Sequence, residues 1–126
     1  MFSHVILGTN DIEKSKTFYN ALLGALGANP GVIDDKGRLM FVHDDKIFGL
    51  TPPIDGQPAT HGNGSTIGFA CKSAEQVDAW HEAGVANGGR SIEDPPGVRE
   101  SAFGPLYLAY LRDPEGNKLC ALHVMK

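Results

Sequence analysis

The sequence has few of the features that mark specialised classes of protein. Its two cysteines, Cys71 and Cys120, are too far apart to form the CxxC pair of a redox or zinc site. Its 15 acidic residues outnumber its 11 basic residues, giving a net charge of −4, so it lacks the basic field that attracts nucleic acid or an acidic membrane. It also lacks a long apolar run and a basic N-terminal leader. We therefore expect a cytoplasmic protein with reduced thiols and no nucleic-acid or membrane partner.

Turn-forming residues, by contrast, are abundant. The 126 residues include 16 glycines and 8 prolines, which favour many short strands joined by tight turns. Hydrophobic residues make up 41% of the chain, an ordinary proportion for a globular protein. This length predicts a single domain, residues 1–126, that can bury a hydrophobic core without disulfides.

The two halves of the chain follow the same plan. Residues 4–11 read HVILGTND and residues 66–73 read TIGFACKS, and a helical pattern follows each strand-like run. Between the halves, residues 55–64 are rich in glycine and poor in core-forming side chains, which indicates a linker. We therefore predict one module over residues 1–54 and a second over residues 65–126.

Each predicted helix has a start signal and an apolar stripe. Asn10 precedes Glu13 by three residues, and Ser73 precedes Gln76 by three, as in capping boxes. The residues expected to face the core are Ile12, Tyr19, Leu22, Leu23 and Leu26 in the first helix and Val77, Trp80, His81 and Gly84 in the second.

Short extended runs follow each helix. The predicted strands are residues 32–33, 39–43 and 46–51 in the first module and residues 91–93, 106–112 and 118–124 in the second. Residues 94–97 are predicted as a loop that continues through Arg99 and Glu100, and Asp113–Asn117 as a tight turn. Each module is thus strand, helix, three strands. A ferredoxin-like α+β sandwich without duplication is the alternative.

Three motifs resemble the vicinal oxygen chelate superfamily, which includes glyoxalase I, bleomycin-resistance, fosfomycin-resistance and extradiol dioxygenase proteins. They are HVILGTNDIEKSKTFYNALLG at 4–24, GNGSTIGFACKS at 62–73 and YLRDPEGNKLCALH at 110–123. The resemblance implies an α+β fold of two βαβββ modules, with curled mixed sheets that form a cup and helices outside. It also implies a homodimer, and a cup that in many members holds a divalent metal.

The resemblance also implies where metal ligands would lie. Metal-binding members use one residue on the first and one on the last strand of each module, and an alignment of the halves gives His4, Phe48, Thr66 and Cys120. Only His4 is an ordinary ligand type at its position, because a thiol replaces the usual glutamate of the last strand. A catalytic site needs about three protein ligands. We therefore predict no metal and no other cofactor, with a divalent metal as the alternative.

The cup is instead expected to bind a small organic molecule, by shape and hydrogen bonding. The residues predicted to line it are His4, Ile6, Phe48, Thr66, Tyr110, Arg112 and Cys120. Tyr110 can donate a hydrogen bond from its phenol, and Arg112 can pair with an anion or hold the 113–117 turn. Cys120 is either a small pocket-lining side chain or a nucleophile activated by His4.

The resemblance thus leaves more than one function open. The leading hypothesis is a glyoxalase/bleomycin-resistance-like protein that binds a small organic molecule in a metal-poor cup. The alternative is a metal-dependent lyase, isomerase or transferase of the glyoxalase or fosfomycin-resistance type, and in that case a glyoxalase-like lyase or related enzyme. A purely structural or partner-binding role is the third hypothesis. No catalytic residue is assigned.

Overall fold

The computed structural model describes residues 1–126, which form two helices and nine strands in two mixed sheets. The first module contains β1 (His4–Gly8), α1 (Ile12–Gly24), β2 (Val32–Ile33), β3 (Leu39–His43) and β4 (Lys46–Thr51). The second contains β5 (Ile67–Ala70), α2 (Ala74–Ala86), β6 (Arg90–Ser91), β7 (Gly97–Ser101), β8 (Gly104–Arg112) and β9 (Lys118–Val124).

Both sheets have the same strand order, which confirms the predicted α+β fold with two curled mixed sheets. In the first sheet the order is β1-β4-β3-β2, and in the second it is β5-β9-β8-β6. In each sheet the first strand of the module runs parallel to the last strand, and the other pairs are antiparallel. The repeat in the sequence is therefore a repeat of topology.

The second module has one strand more than predicted. Residues 97–101, expected to lie in a loop, form β7, which pairs with the first half of β8 from Gly97 opposite Leu108 to Ser101 opposite Gly104. The segment carries a glycine and two charged side chains, so its composition gave no strand signal. It pairs because a tight turn brings it back along β8, whose backbone groups need partners.

The helices begin close to where the capping signals place them. The carboxylate of Asp11, rather than Asn10, caps α1 by accepting a hydrogen bond from the Lys14 amide at 3.0 Å. Ser73 caps α2 as predicted, accepting from the Gln76 amide at 3.1 Å. Asn10 instead forms hydrogen bonds with Glu115 of the second module.

One hydrophobic core lies on the helix-facing sides of both sheets. Its largest fully buried side chains come from the helices, Phe18, Tyr19 and Leu22 from α1 and Trp80 from α2. The sheets add Leu39, Phe41, Leu50, Ala109, Leu111, Leu119 and Ala121. The modules are therefore held together by a shared apolar interior, which is the largest stabilising contribution in a domain of this kind.

A polar clasp also joins the modules at the turn between β8 and β9. Asp113 is buried and accepts hydrogen bonds from the Tyr19 phenol at 2.5 Å and from the amide and side chain of Asn117 at 2.8 and 2.9 Å. Glu115 accepts from the Asn10 amide at 2.7 Å and from its side chain at 2.9 Å. The turn of the second module is thus fixed to the β1–α1 junction of the first.

Candidate functional site

Strand alternation gives each sheet a second side, turned away from the helices, which we call its open face. Ala109, Leu111, Leu119 and Ala121 are in the core, so Tyr110 and the residues in step with it lie on the open face of the second sheet. This face needs no apolar cover from the helices. It is therefore the part of the sheet where polar side chains can be placed for binding.

Tyr110 and Cys120 form the centre of this open face. They lie directly opposite each other on β8 and β9, and Gly68 lies on the other side of Cys120 on β5. Burial raises the pKa of the Tyr110 phenol, and its interaction with Cys120 raises it further. Burial also raises the pKa of the Cys120 thiol, although Tyr110 opposes the shift by hydrogen bonding. At neutral pH both groups are protonated, so the phenol is a hydrogen-bond donor and the thiol is a poor nucleophile.

Charged groups surround this pair. The Lys118 ammonium lies 4.9 Å from the centre of the Tyr110 ring and forms an ion pair with Glu93. Arg99 lies on β7, the strand that pairs with β8, and its positive charge slightly opposes the rise in the pKa of Tyr110 and of Cys120. Arg99 is itself held by the carbonyls of Asp94 and Pro95, each at 3.1 Å. The surroundings suit a ligand with negatively charged or polarised oxygens.

Two predicted residues of the first module also lie on an open face. His4 and Ile6 alternate with Val5 and Leu7 on β1. Leu7 packs against the core and Val5 lies beside Phe48, so this second pair faces the helices. His4 is exposed, and its Nδ1 lies 2.7 Å from the Ser3 hydroxyl. Ile6 is half-buried beside the polar groove at the start of β5 and β9. Neither side chain forms a hydrogen bond with Tyr110 or Cys120.

Phe48 lies on the side opposite to the one predicted. In the register of β1 and β4, Phe48 stands beside Val5, whereas His4 and Ile6 stand beside Ile47 and Gly49. The Phe48 ring packs against Tyr19 and Phe69, with centroid distances of 5.1 and 5.4 Å. The alignment of the two halves was wrong by one residue at this point. A one-residue slip in a strand moves a side chain to the other face.

Thr66 and Arg112 complete the predicted set. Thr66 is exposed, one residue before β5, on the side of Gly68. Arg112 lies in step with Tyr110, but its Nη1 donates to the Gly116 carbonyl at 2.7 Å. This contact agrees with the second role considered for Arg112, which is support of the 113–117 turn.

The side chains do not supply the donors of a catalytic metal site. No three residues among His, Cys, Asp and Glu lie close enough to hold a metal ion together. His4 and Cys120 are the only ordinary ligand types among the four matching positions, and the Phe48 position falls on the other face. This donor set does not fit the divalent metal found in many vicinal oxygen chelate proteins, although the absence of a cofactor stays a prediction.

Sequence reasoning did not include Lys118 and Glu93 near the site, and it placed Arg99 in a loop rather than on a strand. Lys118 could have been found from alternation alone, since it lies two residues before Cys120 on the same strand. Glu93 and Arg99 could not have been found in this way, because Glu93 follows β6 and Arg99 lies on β7. Those two segments pair with β8 in a way that local sequence does not specify.

Comparison with known proteins agrees with the fold. Two modules with the same βαβββ strand order, the second with β7 added, and the tight 113–117 turn define a protein of the glyoxalase-like class. A sequence model of the Glyoxalase/Bleomycin resistance protein/Dioxygenase superfamily matches residues 1–121. The chain belongs to this family. No helix in the structure is both long and apolar enough to span a bilayer.

Solved structures support the same conclusion. A glyoxalase/bleomycin resistance protein from Albidiferax ferrireducens T118 is 62% identical, with a TM-score of 0.95 over 98% of this chain and 99% of that one. A family enzyme from Burkholderia phytofirmans PsJN is 22% identical, with a TM-score of 0.75 over 98% of both chains. A lactoylglutathione lyase from Agrobacterium tumefaciens is 19% identical, with a TM-score of 0.68 over 98% of this chain and 92% of that one. The last two show the fold alone. Among curated proteins, none matches this sequence.

Proposed function

We propose that this protein binds a small organic molecule with polarised or charged oxygens against the open face of the second sheet. The observation that carries the proposal is the Tyr110–Cys120 pair, a protonated phenol beside a protonated thiol, with Lys118 and Arg99 close by. The phenol would donate to a ligand oxygen, and Arg99 would favour an anionic one, since Lys118 is already paired with Glu93. Recognition would need no metal.

The open face of the first sheet supports the second part of the proposal, a homodimer. Val32 and Val42 are both 67% exposed and Ile47 is 38% exposed. They lie on the same face in two adjacent cross-strand rows, one that joins Val32 to Met40 and one that joins Val42, Ile47 and His4. A row of exposed aliphatic side chains on a sheet is a typical protein-binding surface. A second copy would cover it and could close a cup around the ligand. We also propose a cytoplasmic location, which the two free cysteines support.

Two tyrosines on β8 allow a matched test of the ligand site. Tyr110 lies on the open face, whereas Tyr107 lies on the other side of the strand and donates to Asp78 at 2.8 Å. Small molecules with neighbouring oxygens, such as catechol, glycolate and pyruvate, would be screened by thermal shift, and those that bind would be titrated by calorimetry. Tyr110→Phe should weaken binding about fivefold, the value of one neutral hydrogen bond, and Tyr107→Phe should not. Equal affinity in the wild type and Tyr110→Phe would contradict the proposal.

An enzyme of the glyoxalase type is the second candidate, and one observation favours it. The exposed His4 imidazole uses Nδ1 for its contact with Ser3, and its Nε2 has no partner in the protein. Turnover of the hemithioacetal of glutathione and methylglyoxal would be measured with and without added divalent ions. Activity lost in His4→Ala, together with a stoichiometric metal found by elemental analysis, would replace the binding proposal with this one.

A further inference from the structure

A cavity of about 190 Å³ lies between the two modules, on the helix-facing side of the first sheet. Nine of its 12 lining residues are hydrophobic. Phe41 and Phe48 form the wall on the first sheet, and Ile67 and Phe69 form the wall on β5. The cavity extends to Gly68, the neighbour of Cys120 on β5, but neither Tyr110 nor Cys120 lines it.

The size and the walls of the cavity suit one aromatic ring. A cavity of about 150 Å³ lined by Leu, Ile and Phe is large enough to bind benzene. The Phe48 and Phe69 rings contact each other edge to face, 5.4 Å apart at an interplanar angle of 73°, so together they present both a ring face and a ring edge to a ring that packs against them. Such edge-to-face contacts are favourable for aromatic groups.

The mouth of the cavity is charged. His43 and Lys46 lie opposite each other at the ends of β3 and β4, and both line the cavity. The Nε2 of His43 is 3.5 Å from the Asp44 carboxylate, whereas Lys46 forms none of the three ion pairs of the protein. Asp45, the residue before Lys46, is exposed and lies in the tight turn between β3 and β4, where its φ is 63°. Lys46 is therefore the cation at the mouth that an incoming carboxylate can pair with.

From these observations we propose that the cavity is a second binding site, for a single-ring aromatic carboxylate. The ring would lie among Phe41, Phe48 and Phe69, and the carboxylate would reach the Lys46 ammonium. This site goes beyond the function proposed above, because none of Tyr110, Cys120 and Lys118 lines the cavity.

Benzoate is the probe, and benzamide is its uncharged counterpart of the same shape. Binding to the full-length protein would be measured by calorimetry and by the fluorescence of Trp80, the only tryptophan, whose ring lies 6.2 Å from that of Phe69. We expect saturable benzoate binding with a change in Trp80 emission. Lys46→Gln should weaken benzoate binding about fivefold at low ionic strength and leave benzamide unaffected.

Two further variants locate the bound probe. Lys36→Gln removes an exposed lysine from a turn away from the cavity and should leave benzoate affinity unchanged. Ala28→Phe should fill the cavity, where Ala28 is a lining residue, and abolish binding of both probes. The proposal is overturned if benzoate does not bind, if Lys46→Gln binds it as the wild type does, or if Tyr110→Phe rather than Ala28→Phe removes the binding. The last result would place benzoate on the open face and would leave the first proposal intact.

Discussion

The two modules share one topology but differ on their open faces. The open face of the first sheet is aliphatic, with Val42 opposite Ile47 and Met40 in the adjacent row. The open face of the second sheet carries Tyr110 and Cys120 with charged neighbours. Both helix-facing sides are apolar, because both are covered by helices. Packing against the helices therefore restricts the choice of residues only on the helix-facing side of each sheet. The residues of the two open faces can differ, and the two faces can serve different functions.

The turn that precedes the last strand shows the same difference. In the second module Asp113 is buried and accepts from Tyr19, Asn117 and the Glu115 amide. In the first module the corresponding turn contains Asp44, which is exposed and has only the 3.5 Å contact with His43. One turn therefore holds the modules together and the other only reverses the chain.

The largest expected effect comes from exchanging these two aspartates for asparagine. Asp113→Asn presents an NH₂ group to donors that need an acceptor, and should lower the free energy of unfolding by about 3 kcal/mol. Asp44→Asn keeps a side chain that tolerates the positive φ of 49° and should cost less than about 0.5 kcal/mol. Urea unfolding of both variants measures the difference. An equal loss of unfolding free energy in the two variants would mean that the buried hydrogen bonds of Asp113 do not stabilise the protein.

Two glycines test how tightly each open face is packed. A Cβ at Gly49 would lie 2.6 Å from the Met40 sulfur and 2.8 Å from Ile6, whereas a Cβ at Gly68 would have no neighbour within 4 Å. Gly49→Ala should therefore destabilise the protein by about 2 kcal/mol, and Gly68→Ala should leave it unchanged or slightly more stable. Urea midpoints for the two variants decide the matter. A costly Gly68→Ala would show that the space beside Cys120 is already filled in solution.

A charge on the first open face tests the proposed homodimer. Val42→Asp places a carboxylate in the exposed aliphatic row and should raise the dimer dissociation constant at least about tenfold. Val85→Asp is the matched control, since Val85 is also exposed but lies on α2. Light scattering coupled to size exclusion gives the mass of each. A wild type that is monomeric at all concentrations, or a Val42→Asp variant that dimerises normally, would contradict this part of the proposal.

These contrasts also show how much the sequence could reveal. The repeat, the helices and the 113–117 turn were predictable because each has a local signal, namely a hydrophobic period, a cap or a turn residue. The face on which Phe48 lies was not, because β1 and β4 are distant in sequence and their register is set by packing against Tyr19 and Phe69. The cavity between modules was invisible for the same reason, since its walls come from strands that do not pair with each other.

The smallest expected effect is on the pH dependence of stability, and it comes from Cys71 in the second module, the module that contains both cysteines. Burial raises the pKa of the Cys71 thiol from 9.0 to about 11 in the folded protein. The native state therefore holds this proton more tightly than the unfolded state, so the contribution of Cys71 is fully present below pH 9 and is lost as the pH rises toward 11. The urea midpoint should fall over this range, and Cys71→Ala should make the fall shallower. Four other groups with a raised pKa stay in both proteins and account for the remaining slope, namely Tyr19, Tyr107, Tyr110 and Cys120. An identical pH dependence in the wild type and the variant would show that Cys71 reaches water in the native state.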